Sequence, residues 1–122
     1  MMGTNNLGRQ PPDKAEDVVR AVRAAVDMLR AKLPQASVLV LTIPPSSLAT
    51  ESPLRMRIKE ANSLLVQLTW PGRVRVLDVY DAFVDGSGRW RPGLTLDGTH
   101  FSPAGYARLA GLVSPVVKEM LL

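Results

Sequence analysis

Apolar positions along the chain follow two rhythms, one helical and one extended. Val18, Val22, Val26, Leu29 and Leu33 recur at helical steps, with Arg20, Arg23, Asp27 and Arg30 on the other face. This spacing predicts an amphipathic helix over residues 13–33, opened by a capping-box pair, Asp13 and Glu16, and stopped by Pro34. The run Ser37-Val38-Leu39-Val40-Leu41-Thr42-Ile43 is continuously apolar and ends at Pro44-Pro45, the pattern of a strand, here 38–43, covered on both faces. Ser52-Pro53 opens a second helix, 53–69, whose Leu54, Ile58, Ala61, Leu65 and Leu68 share a face. Residues 74–79 half alternate and predict a second strand, nearer an edge. A long loop from Tyr80 to Phe101 leads to Ser102-Pro103, which opens a last helix, 103–121, with Tyr106, Leu109, Val113, Val117 and Met120 facing inward. Residues 3–12 read as loop.

Helix, strand, helix, strand, helix is the order of an α/β layered fold. A helix between two strands supplies the crossover that parallel pairing needs, so 38–43 and 74–79 are expected to be parallel neighbours with helices on both faces. Two strands make a small parallel sheet, and the apolar 38–43 strand is left with an open edge. The simplest expectation is that further strands belong before residue 1 and that Met1-Met2 is the end of one. The 122 residues then form one partial domain, 1–122.

Composition narrows the function. A hydrophobic share of 46% with 21% charged residues excludes a disordered or fibrous chain, and no apolar run approaches the ~20 residues of a membrane span. The absence of cysteine excludes a disulfide scaffold, a thiolate metal site and a cysteine nucleophile. A net charge of +4, with Arg73, Arg75, Arg89 and Arg91 close together, invites a nucleic-acid reading. Arginines alternating along a strand and its loop are better read as a solvated face, and six aromatic residues with no nucleic-acid module leave no nucleic-acid partner expected. Met1 to Asn6 carry neither the basic region nor the apolar core of a signal peptide. Cytoplasmic placement is thus the default and the compartment stays open.

Two constellations carry chemistry. His100, the one histidine, lies in Leu96-Asp97-Gly98-Thr99-His100-Phe101-Ser102-Pro103. An aspartate three residues before a histidine in a tight turn can reach its Nδ1, fix the tautomer and leave Nε2 to take a proton from a hydroxyl. A turn before a helix accounts for the same residues without catalysis. Gly3-Thr4-Asn5-Asn6 is the second: after a strand, an asparagine amide there could donate to a developing oxyanion.

Together, Gly3-Thr4-Asn5-Asn6 and Asp97-Gly98-Thr99-His100 resemble the third and fifth blocks of the SGNH/GDSL hydrolases, most closely the subgroup with the catalytic subunits of intracellular platelet-activating-factor acetylhydrolase. The elements between them, including Pro53-Leu54-Arg55 with Asn62, Val76-Leu77-Asp78 and Phe83-Val84-Asp85-Gly86, follow the same order, as does His100-Phe101-Ser102-Pro103-Ala104-Gly105-Tyr106. The resemblance covers nearly the whole chain but only the carboxyl-terminal half to two-thirds of such a domain. It implies a flavodoxin-like three-layer fold, here without its amino-terminal part: two parallel strands, a stub and three main helices. It further implies an acyl-ester hydrolase working through a serine acyl-enzyme, with no metal or cofactor. Asn5 would be the oxyanion donor, Gly3 would shape its turn, and Asp97 and His100 would be the orienting acid and general base. Asn6 replaces an aspartate common elsewhere in the family.

The family's nucleophile lies in a Gly-Asp-Ser motif, which this chain lacks. Ser46 and Ser47 follow the first strand and could stand in, although a polar loop after two prolines explains them far better. Three expectations follow. One is an esterase centre for small esters, on a sugar or a lipid, inactive without a missing amino-terminal segment. A second is a non-catalytic interaction module that pairs through the open strand edge. A homo-oligomer is compatible with either, and basic nucleic-acid binding trails.

Overall fold

The computed structural model covers residues 1–122, and its frame is a pair of short parallel strands. Val38–Leu41 (β1) pairs with Val74–Leu77 (β2), Val38 opposite Val74 and Leu41 opposite Leu77. The ladder continues at both ends, Val38 N–H donating to Arg73 O at 2.8 Å and Thr42 N–H to Leu77 O at 3.1 Å. The crossover is helix α3, Pro53–Leu65, capped by the Ser52 hydroxyl. Alternation then builds three layers. Val38, Val40, Val74 and Val76 pack with α3 and with α2, Ala15–Lys32. Leu41 and Leu77 face the other way, onto Val79, Phe83, Trp90, Leu94 and Phe101 and onto Leu109 and Leu112 of α4, Pro103–Leu121. The expected parallel α/β architecture is therefore present, with helices on both faces.

Polar side chains secure the strand ends. Thr42 Oγ1 accepts from Val79 N–H and donates to Asp78, both at 2.9 Å. Asn62, buried on α3, accepts from Ile43 N–H at 2.8 Å and donates to Ile43 O at 2.7 Å, so one amide satisfies both backbone groups of a fully buried residue.

Several expectations are corrected. Residues 4–8 form a short helix, α1 (Thr4–Gly8), because Leu7 is fully buried beside α2 and α3 and Arg57 donates to its carbonyl at 2.8 Å. Helix α2 starts after Lys14, whose N–H Asp17 accepts at 3.3 Å; Asp13 is instead occupied by Arg9 and Asn6. Leu29 and Leu33 are exposed, and in β1 only Val40 is fully buried. For β1 and Leu29 the cause is shared: β2 is the only neighbour of β1, whose other edge, beside Leu29, is uncovered. Met1 and Met2 do not pair as a strand; they border an apolar recess of about 140 Å³ with Leu29 and β1.

The 80–101 segment is more ordered than a loop, with a 3₁₀ turn at Tyr80–Phe83 and bridges between Val84 and Trp90 and between Thr95 and Phe101. On α4, Tyr106 and Val117 are exposed and Gly105 is the buried contact. A Cβ at Gly105 would lie 2.2 Å from Leu94 O, so only glycine lets the helix approach this closely.

Replacing Asn62 with alanine strands two buried backbone groups. Asn62→Ala should lower stability by about 3 kcal/mol, read as an earlier urea midpoint with unchanged slope. A midpoint like that of the parent chain would show that water replaces the amide.

Candidate active site

Asp97 to His100 form a turn held by its own carboxylate. Asp97 Oδ1 accepts Thr99 N–H at 2.9 Å and His100 N–H at 2.8 Å, while Oδ2 lies 2.8 Å from His100 Nδ1. The backbone amide of His100, then its ring, then the Thr99 amide hold the Asp97 carboxyl well below the usual carboxylate range. An ionised Asp97 makes Nδ1 the protonated nitrogen in the neutral ring and leaves the Nε2 lone pair free. The turn needs Gly98, at φ 90°, where a Cβ would lie 2.8 Å from Leu48 N. Trp90 Nε1 donates to Gly98 O at 3.1 Å, and Leu96 N–H and Thr95 Oγ1 donate to His100 O at 2.9 and 2.8 Å. Beneath, Phe101 stacks on Phe83 at 4.7 Å and meets Trp90 edge-on at 6.2 Å. The ring of His100 is exposed but the backbone that carries it is held from several sides.

The opposite wall comes from the amino-terminal turn. Gly3 has φ 125°, and a Cβ there would lie 2.8 Å from both Ile43 Cδ1 and Val18 Cγ1. Glycine is required twice over, by conformation and by space. Asn6 donates to Asp13 at 3.1 Å, whereas the Asn5 amide has no partner within the chain. An open cleft of about 400 Å³ is bordered by Gly3, Asn5, Pro44, His100 and Tyr106. Pro44 lies just past β1, so the cleft opens beyond the carboxyl ends of the strands, where α/β sheets bind ligands. The structure thus brings Gly3, Asn5, Asp97 and His100 to one edge. A second recess of about 230 Å³, between α3 and residues 78–81, contains none of them.

Ser46 and Ser47 do not border the cleft. Ser46 is 2% exposed and bonded to Thr99 Oγ1 at 2.8 Å; Ser47, at φ 82°, accepts from Ala49 N–H. Neither is presented to His100 as a nucleophile. No serine borders the cleft at all, no acidic or imidazole groups cluster to hold a metal ion, and no helix is long and apolar enough to cross a membrane.

Arg55 is the residue whose part sequence reading missed. It is 1% exposed and faces no carboxylate; Nε donates to Ser46 O and Ser47 O at 3.2 and 3.1 Å, and Nη1 to Gly88 O at 2.7 Å and Tyr80 Oη at 3.3 Å. The available signal was its phase. Arg55 and Asn62 stand three before and four after Ile58, on the apolar stripe of α3, where polar residues need a reason.

Comparisons with known proteins bear on the family and the fold. The profile of the GDSL-like lipase/acylhydrolase family matches residues 1–108. Platelet-activating factor acetylhydrolase IB subunit alpha2 of Rattus norvegicus is 29% identical over 121 residues, which are 98% of this chain and 51% of that protein. The Gallus gallus alpha2 subunit is 30% identical over the same length. The chain therefore spans about half the length of these relatives. The crystal structure of a GDSL-like lipase from Bacteroides thetaiotaomicron superposes with a TM-score of 0.78 at 17% identity, over 96% of this chain and 59% of that one.

The lowered titration of Asp97 has a definite sign. A carboxylate depressed in the folded chain stabilises it above the ordinary aspartate range; that contribution declines below that range and is gone once pH has fallen through the depressed folded value. At pH ~3, where an ordinary aspartate is mostly protonated, the Asp97 carboxyl carbon should still show the ionised ¹³C shift. A normal titration curve would mean that the turn does not hold its carboxylate.

Proposed function

The chain belongs to the GDSL-like lipase/acylhydrolase family, and from that premise we propose that it supplies the proton-handling and oxyanion side of a serine ester-hydrolase centre. The observation that carries this reading is the shared cleft: the Asp97–His100 pair on one wall and the unpartnered Asn5 amide on the other. Asp97 orients the imidazole and balances its charge once protonated; His100 Nε2 is the general base. It takes the proton of a serine hydroxyl as that oxygen attacks the ester carbonyl. The carbonyl oxygen becomes an oxyanion, which Asn5 Nδ2–H stabilises from a turn shaped by Gly3. His100 returns the proton to the departing alkoxide. A water then attacks the acyl-serine carbonyl as His100 takes its proton, and His100 passes that proton to the serine oxygen as the acid leaves.

The serine comes from outside these 122 residues, on the Gly-Asp-Ser block that the family resemblance assigns to it. Support for this is the bare cleft and the uncovered edge of β1 beside it. A strand added there in parallel would end where Asn5 and His100 lie and would deliver the residue that follows it into the cleft. The open edge that favours a pairing module is thus the edge an esterase needs filled. Small acyl esters, on a sugar or a lipid, are the substrate class, in keeping with the relatives' acetylhydrolase name.

The 122-residue chain should hydrolyse a chromogenic acetate ester no faster than an unrelated basic protein and should resist a fluorophosphonate probe, since His100 can activate only a hydroxyl that is present. Adding a segment with the Gly-Asp-Ser block, fused before Met1 or as a second chain, should restore both, and His100→Ala should then cost about 10⁴–10⁶ in rate. Labelling of the 122-residue chain alone, lost in His100→Ala, would overturn the reading.

A further inference from the structure

Of the side chains that the turn Asp97 to His100 itself carries, one bonds to another segment. Asp97 and His100 bond each other; only Thr99 reaches another segment, to Ser46, which is 53 positions away in sequence and lies just past β1. That partner is unusually well fixed. Ser46 is almost wholly buried, and its own carbonyl is gripped by the buried Arg55 guanidinium. The left-handed backbone at Ser47 brings the next carbonyl to the same Nε–H. Burying a cation against neutral carbonyls with no carboxylate is costly, and one guanidine nitrogen, Nη2, is left with no partner. A position held at such cost is a rigid anchor, and its hydroxyl is offered to the turn.

We propose that Ser46 is a positioning residue for His100, acting through Thr99; the proposal rests on the reading of His100 as general base. The Thr99 amide donates to the same carboxylate oxygen as the His100 amide, Asp97 Oδ1. Holding the Thr99 side chain therefore sets where the carboxylate sits, and Oδ2 in turn sets the imidazole. The Leu48 contact and the Trp90 bond hold the turn's backbone at Gly98. The Ser46 latch fixes the rotation of the turn about that point, and with it the direction of Nε2.

Because His100 is the only histidine, its ring nitrogens can be followed without assignment in the ¹⁵N-labelled 122-residue chain. The ratio of Nδ1–H to Nε2–H tautomers in the neutral ring reads the grip of Asp97 directly. Ser46→Ala and Thr99→Val should each lower that ratio roughly fivefold, the factor one hydrogen bond of ordinary net strength is worth. The double variant should fall no further than either single one, and Thr99→Ser should retain the parent ratio. A purely structural role would lower the unfolding temperature and leave the tautomers unmoved, and an unchanged ratio in both folded single variants would overturn the proposal. The readout does not depend on esterase activity. A moved ratio in a chain that stays inert after reconstitution would support the latch while the general-base reading fails.

Discussion

Parallel pairing of β1 and β2 makes both strands end at the same edge, and the candidate site is assembled from what leaves or abuts that edge. Ile43, one residue past the Thr42 that closes the ladder, is clamped by Asn62 and forms the seat against which Gly3 turns. Ser46 follows it and meets Thr99. On the β2 side, Val79 and Phe83 leave the ladder to form the aromatic floor beneath His100. A slip of one residue in the register would turn Val40 and Val76 away from α2 and α3 and would move these supports together.

Much of this was legible in the chain because it is written in local chemistry. The three long helices and both strands follow from apolar spacing, and the Ser-Pro starts were visible as caps. Asp97 and His100 are close in sequence, so their contact is a property of one turn. The misses share a different cause: they depend on contacts between distant segments. Thr4–Gly8 is helical because Leu7 finds a buried place between α2 and α3, which five residues cannot announce. Tyr106 and Val117 carry the right spacing for a buried face, but α4 is seated through Gly105, Leu109 and Leu112. Arg55 and Asn62 entered the sequence reading only through the family resemblance, and their partners lie in segments whose paths no periodicity describes.

The basic surface also resolves into particular uses. Arg75 pairs with Glu119 and so joins β2 to α4, Arg73 donates to Gln35 O, Arg30 to Pro71 O, and Arg23 lies over the Trp70 ring at 5.7 Å. These are exposed contacts worth little each, yet they bind loops to neighbouring elements. None of these arginines borders the Asn5–His100 cleft.

The free edge of β1 has a consequence of a colloidal kind. Val38 to Leu41 offer unpaired amides and carbonyls with aliphatic side chains on both faces, and the strand itself contains no lysine or proline to discourage a neighbour. Such an edge does not distinguish a proper partner from another molecule of the same kind. The usable lifetime of the isolated chain in solution is then set by how often two copies meet, so dilution preserves it and concentration shortens it.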